Sequence, residues 1–115
     1  MEELPIIQKT YDLIVWYVPH INKMPRDQKF VLGDRLQAAL YQLLEGLIVA
    51  RYEPNRLPIL QRLNAKLDII RFLTRLCRDF KLLSLQRYEF VSKAVTEIGQ
   101  QLGNWIKQQK RKAGA

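Results

Sequence analysis

Five prolines constrain the fold of this chain more than any other sequence feature. They are Pro5, Pro19, Pro25, Pro54 and Pro58, and all of them lie in the first half. Proline is tolerated in the first turn of a helix but breaks its interior. The chain divides into four segments that cover about residues 4–19, 25–52, 57–81 and 84–110. Short joins between long helices favour antiparallel neighbours, so the pattern predicts an all-α fold, an antiparallel up-down-up-down four-helix bundle.

The spacing of apolar residues supports a helix in each segment. In the last segment they recur every three or four residues, as one stripe on a helix of 3.6 residues per turn. The stripe consists of Tyr88, Val91, Val95, Ile98, Leu102, Trp105 and Ile106. Ser84 is the predicted N-cap of this helix, and Pro25 is the predicted first residue of the second. Gly33 and Gly46 lie inside that second segment, where glycine destabilises a helix relative to alanine. Either this loss of helix stability is tolerated or another backbone approaches closely at these positions.

The third segment carries two apolar faces instead of one. Leu63, Leu67, Ile70, Thr74 and Cys77 form the first face, and Ile69, Phe72, Leu73, Leu76 and Phe80 form the second. A helix of a four-helix bundle needs about one such stripe. The second face therefore favours contact with a neighbouring subunit. The alternative is that the third helix lies at the centre of its own small domain.

Length and composition indicate one globular domain. The chain has 115 residues, of which 48% are apolar and 26% are charged, so we expect a single domain over 1–115 with a basic flexible tail from about 108. The single Cys77 cannot form an intramolecular disulfide, which favours the reducing cytoplasm. The acidic start, Met1–Pro5, does not resemble a secretory signal. No apolar run approaches the roughly 20 residues that a membrane span needs.

The positive charge of the chain is large and unevenly distributed. Nineteen basic residues against eleven acidic ones give a net charge of +8. Residues 54–82 carry +5 and residues 83–115 carry +4, so the charge is concentrated in the last two predicted helices and the tail. A basic domain of this size favours polyanionic partners such as RNA or DNA. The alternative is that the charge serves solubility alone.

Three groups of basic residues are the candidate nucleic-acid-binding residues. They are Arg71, Arg75 and Arg78; Arg62 and Lys66; and the terminal Lys107, Lys110 and Arg111, with Lys112 beside them. The first three recur at helical spacing along one edge, where guanidinium groups can meet successive phosphates. The alternative is that each group is an ordinary solvated surface, in which Lys66 forms an ion pair with Asp68 and Arg75 with Asp79. Without a sequence-reading element, binding should follow charge and shape.

Catalysis has little support in the sequence. The chain contains one histidine, His20, and one cysteine, Cys77, which do not make a zinc site of standard spacing. Cys77 lies on an apolar helical face, which is typical of a buried structural thiol, and His20 is expected near a helix end or on the surface. No glycine-rich phosphate loop is present. We therefore expect no enzyme activity, no cofactor and no metal.

Several runs of the chain resemble the accessory variability determinant proteins of diversity-generating retroelements. They are LPIIQKTYDL at 4–13, MPRDQKFVLGDRL at 24–36, LLEGLI at 43–48 and LNAKLDIIRFL at 63–73. The motif at 24–36 is also similar to the broader family of four-helix proteins encoded in ribosomal-RNA intervening sequences. That family tends to have a run like Asn-Ile-Ala-Glu-Gly where this chain has YQLLEG at 41–46, a departure that favours the retroelement branch.

The resemblance implies a function that the spacing of residues does not reveal. Members of the family are four-helix bundles that assemble as homopentameric barrels, bind the retroelement reverse transcriptase and nucleic acid, and support mutagenic retrohoming. They are not themselves enzymes. The leading hypothesis is thus an adaptor that holds template RNA or complementary DNA next to the polymerase. The alternative is a protein–protein scaffold whose basic surface meets an acidic protein, and a third, weaker hypothesis is an enzyme using Cys77 and His20.

Overall fold

The computed structural model describes residues 4–114, and they form an all-helical bundle with no strand among them. Its elements are α1 (Pro5–Asn22), α2 (Arg26–Gln28), a π-helical turn (Lys29–Gly33), α3 (Asp34–Tyr52), α4 (Leu57–Asp79) and α5 (Leu85–Gly114). The all-α prediction is confirmed, and each of the four predicted segments contains one long helix. No helix in this part of the chain combines the length and apolarity that a membrane span requires.

The four long helices close into a ring of neighbours around one core. Helix α1 contacts α3, α3 contacts α4, α4 contacts α5, and α5 returns to α1. Each helix contributes its apolar stripe to the interior; the largest fully buried side chains include Tyr17, Leu36, Leu40, Leu47, Leu67, Ile70 and Ile98. Burial of each such side chain contributes about 1.5–3 kcal/mol, so the matching stripes hold the bundle together.

Two of the proline predictions are wrong. Helix α1 continues through Pro19 and ends at Asn22. Both Pro19 and Val15, whose carbonyl loses its helical partner there, are exposed, so water can satisfy the freed oxygen. Pro25 has extended backbone and precedes α2 as its N-cap instead of being its first residue. Pro5 and Pro58 occupy the first turns of α1 and α4, as the sequence predicts.

The second segment is interrupted by the π-helical turn, which the sequence pattern does not reveal. Both glycines of this segment face close neighbours. A Cβ added to Gly33 would lie 3.1 Å from Ile21 Cγ2, and one added to Gly46 would collide with the side chain of Leu63. The close approach therefore comes from side chains of neighbouring helices and not from another backbone.

Helix α4 keeps its two apolar faces apart. The first face is buried in the core as predicted. On the second, Ile69 is 47% exposed, Phe72 63%, Leu76 40% and Phe80 53%, while Leu73 is half-buried. We call these five residues the outer face of α4. The alternative, that α4 is buried at the centre of its own domain, is wrong, because this apolar surface is largely uncovered by the described residues.

Helix α5 begins as predicted and continues beyond its predicted end. The backbone N–H of Arg87 donates to Ser84 Oγ over 3.2 Å, which confirms Ser84 as the N-cap. The helix then runs to Gly114, so the basic residues expected on a tail lie on its last turns. Flexibility of this end stays a prediction.

Candidate nucleic-acid interface

A groove between α4 and α5 is lined by two of the arginines that the sequence singles out. Arg71 and Arg75 project from α4, and Tyr88, Ser92 and Thr96 line the α5 side of a cavity of about 320 Å³. We call this space the arginine groove. Gly99 of α5 leaves room for the guanidinium of Arg71, because a Cβ at position 99 would collide with it. The helical spacing predicts the arginine row, and the packing of α5 beside it turns the row into a concave surface.

Arg78 joins the same groove through Tyr88. Its guanidinium lies 4.8 Å from the centroid of the Tyr88 ring, a cation–π contact. It also donates from Nε to Asp79 Oδ1 over 2.9 Å, and this hydrogen bond raises the pKa of Arg78. The sequence places Tyr88 on the apolar stripe. Its role beside Arg78 depends on how the two helices pair, which no local pattern reveals.

The ion pairs of α4 differ from the predicted ones. Arg71 pairs with Asp68 and Arg78 pairs with Asp79, both on the exposed side of the helix. The predicted pairs of Lys66 with Asp68 and of Arg75 with Asp79 are wrong. Within residues 4–114 no carboxylate lies in salt-bridge distance of Arg75, so its charge is the most available in the groove. Exposed ion pairs are worth only about 0–1 kcal/mol, so a phosphate can compete for the other two arginines.

Arg62 and Lys66 lie away from the arginine groove. Lys66 Nζ donates to Gln42 Oε1 of α3 over 2.8 Å, which places this pair on the side of α4 that faces α3. Arg71 lies on the side that faces α5. At about 100° per residue the two groups are roughly 160° apart around α4. One phosphate chain running along the groove therefore does not meet both groups within a single subunit.

The terminal basic residues form a third location near the end of α5. Arg111 and Lys112 line a second cavity together with Arg56 and Trp105, whereas the exposed Lys107 and Lys110 lie outside its lining. The guanidinium of Arg56 is 5.8 Å from the centroid of a Trp105 ring. Arg111 lies 23 residues after Tyr88, which corresponds to about 35 Å along the helix. Sequence reasoning missed Arg56 because it lies in a join between helices.

The histidine and the cysteine occupy different structural settings. Cys77 is fully buried, and burial raises the pKa of its thiol to about 11, so it is protonated near neutral pH. The His20 ring lies against Trp16 in a tilted contact with 4.3 Å between ring centroids, and its Nδ1 is buried without a hydrogen-bond partner. Burial lowers the pKa of His20, and the charges of Arg87 and Lys23 lower it further. Among the described residues no cluster of three or more His, Cys, Asp or Glu side chains has a metal-binding arrangement.

The chain is similar to a known protein family over most of its length. A family model described as bAvd-like matches residues 4–109. The match includes the whole arginine groove, Arg62, Lys66 and Lys107, and it ends before Lys110 and Arg111. No curated protein matches the chain.

Proposed function

Since this chain belongs to the bAvd-like family, the accessory variability determinants of diversity-generating retroelements, we propose that it is a non-enzymatic adaptor of the retroelement. In the cytoplasm it holds template RNA or complementary DNA next to the reverse transcriptase and so supports mutagenic retrohoming. The observation that carries the nucleic-acid part of this proposal is the arginine groove, a concave surface that Arg71 and Arg75 line, with the guanidinium of Arg78 beside it on the Tyr88 ring.

The groove fits a phosphate chain better than it fits a small neutral ligand. Guanidinium groups form charge-assisted, often bidentate hydrogen bonds with phosphate oxygens. The hydroxyl group of Ser92 on the opposite wall can add a neutral hydrogen bond to the same phosphates, whereas that of Thr96 donates to the backbone oxygen of Ser92 over 2.8 Å. Because these contacts address the backbone and not base edges, the adaptor binds by charge and shape with little preference for sequence.

Oligomerisation of the bundle is supported by its uncovered apolar surfaces. The outer face of α4 is exposed, and further exposed apolar side chains lie on other helices of the ring, Tyr11 and Val15 on α1 and Phe90 on α5. Two different apolar surfaces on one subunit suit a head-to-tail contact, which closes into a ring when the rotation allows it. We propose a cyclic homo-oligomer, a pentameric barrel as the family resemblance implies, in which several grooves act together on one strand.

Contacts at both ends of the α4–α5 pair support the antiparallel, up-down-up-down arrangement within each subunit. Arg78, near the end of α4, meets Tyr88 near the start of α5. Arg56, just before α4, meets Trp105 towards the end of α5. Such a pair of contacts is expected when two helices joined by a short loop run in opposite directions.

The salt dependence of RNA binding tests the proposal. Replacing Arg71, Arg75 and Arg78 together by Glu should abolish binding of a single-stranded RNA while the far-ultraviolet circular dichroism stays helical. Replacing them by Gln should reduce the slope of log affinity against log salt by about 0.7 for each phosphate that the protein no longer neutralises. The matched control replaces the exposed Lys23, Arg26 and Arg35 by Glu, which changes the net charge by the same amount. The control protein should bind the RNA much more tightly than the variant with Glu at 71, 75 and 78.

Two results would contradict parts of the proposal. If the groove variant and the control lose the same affinity, net charge and not the groove carries binding. If the wild-type protein binds purified reverse transcriptase but no naked RNA or DNA at low salt, it is a protein–protein scaffold whose basic surface meets an acidic protein.

A further inference from the structure

A second concave surface lies where the end of α5 approaches the start of α1 and the residue before α4. We call it the end cavity; its volume is about 520 Å³. Most of its polar lining comes from one side of α5, where residues three and four apart are neighbours. The residues that carry the argument are Arg56, Asn104, Trp105, Gln108, Arg111 and Lys112.

The charge in the end cavity is positive. Arg56, Arg111 and Lys112 line it, and none of its described lining residues is Asp or Glu. The side chain of Arg56 is held from two sides, since its Nε donates to the backbone oxygen of Glu53 over 3.1 Å and its guanidinium lies beside Trp105. An anionic group entering this cavity therefore meets cations that no carboxylate of the described lining neutralises.

The remaining lining is unusual for a purely electrostatic surface. Trp105 provides an indole ring that is half-buried and therefore fixed in place by the bundle. Asn104 and Gln108 are exposed carboxamides one turn apart on the same side of the helix. Indole rings stack on bases of any identity, and carboxamides both donate to and accept from base edges. The arginine groove has no such combination, because no Asn or Gln side chain is among its lining residues.

We propose that the end cavity binds one unpaired nucleotide of a single strand. The base lies against Trp105, Asn104 and Gln108 contact its edge, and Arg111 and Lys112 contact the adjacent phosphate. This inference rests on the proposed function and adds a distinction to it: the arginine groove follows the backbone of either a single strand or a duplex, whereas the end cavity requires an unstacked base. Both surfaces use α5: the lining of the groove ends at Thr96 and that of the end cavity begins at Gln101, about 8 Å further along the helix axis.

A single-site carboxamide variant tests the proposal. Asn104→Glu places a carboxylate in the end cavity, where it repels the phosphate and removes a donor. Its matched control is Gln100→Glu, on the same helix, exposed and outside the cavity lining. The affinity of full-length protein for a labelled 12-nucleotide oligo(A) should fall about tenfold in Asn104→Glu, as expected when one stacked and anchored base is lost. Its affinity for a blunt duplex of the same length should change as little as that of the control.

Tryptophan fluorescence provides a second readout that does not depend on the Asn104 variant. The chain has two tryptophans, so a Trp16→Phe protein reports Trp105 alone. Titration with oligo(A) should quench its emission, whereas inorganic polyphosphate and a poly-glutamate peptide at equal charge should not.

The outcomes separate this inference from the proposed function. Equal quenching by polyphosphate or poly-glutamate would overturn the nucleotide site, as would equal losses for oligo(A) and duplex in Asn104→Glu. Tight RNA binding without any Trp105 quenching would overturn the nucleotide site and leave the adaptor function standing. Failure of every nucleic acid to bind the wild-type protein would overturn both.

Discussion

The hydroxyl groups of Tyr17 and Thr74 lie 3.0 Å apart between α1 and α4, in the fully buried interior of the bundle. A buried hydroxyl that loses its partner costs about 1–3 kcal/mol, whereas removal of both partners costs less than the sum of the single losses. We expect Tyr17→Phe and Thr74→Val each to lower the free energy of unfolding by about 1–2 kcal/mol. Urea unfolding of the double variant should show a smaller loss than the two single variants predict together; strict additivity would mean that the two hydroxyls do not interact.

The free energy of unfolding should fall at alkaline pH because the core contains two ionisable groups, the Cys77 thiol and the Tyr17 phenol. Burial raises the pKa of Cys77 to about 11 and that of Tyr17 even more. Above about pH 8.5 the unfolded chain releases the thiol proton while the folded chain retains it. The stabilisation is therefore complete below about pH 8.5 and is lost as the pH rises towards 11, by an amount on the order of 3 kcal/mol for Cys77.

Urea unfolding between about pH 7 and pH 11 checks this expectation. The Cys77→Ala protein should be less stable at neutral pH and lose less stability between about pH 8.5 and 10 than the wild type does. A parallel pH profile for the two proteins would show that the Cys77 thiol does not carry this dependence.

Gly46 should resist substitution although it lies inside a helix. A methyl group there meets the buried Leu63, and overpacking of this kind costs about 1–3 kcal/mol, more than the helix propensity that alanine gains. We expect Gly46→Ala to lower the midpoint of thermal unfolding. Gly103 in α5 is the control, because no atom lies within 4 Å of its added Cβ. Gly103→Ala should raise the midpoint, and a rise for both variants would show that Leu63 can move aside.

The outer face of α4 should control the oligomeric state. Ile69→Glu introduces a charge into the proposed subunit contact, whereas Val31→Glu places the same charge on a comparably exposed apolar residue of the π-helical turn. We expect the light-scattering mass of the wild type to be a multiple of the chain mass. The Ile69→Glu protein should have the mass of one chain, and Val31→Glu should match the wild type. A wild-type mass of one chain would exclude the ring.

Local features of the molecule could be predicted well from the sequence. The capping of α5 by Ser84 and the two apolar faces of α4 follow from spacing and side-chain chemistry within a few residues. Predictions that had to choose one ion-pair partner among several residues close in sequence were less successful. Asp68 pairs with Arg71 and not with Lys66, because the packed helices direct Lys66 towards Gln42. Pro19 is tolerated inside α1 because that side of the helix is open to water.

The candidate binding surfaces depend on both the sequence and the tertiary structure. The sequence by itself determined which residues are basic, their helical spacing and the apolar stripes that make the chain a helical bundle, since these properties need only the local period of the backbone. Only the tertiary structure decided that Arg78 meets Tyr88, that Arg56 meets Trp105, and that Lys66 faces α3 while Arg71 faces α5. The physical reason is that these relationships depend on the rotation of each helix about its axis, and that rotation is set by core packing between residues distant in the chain.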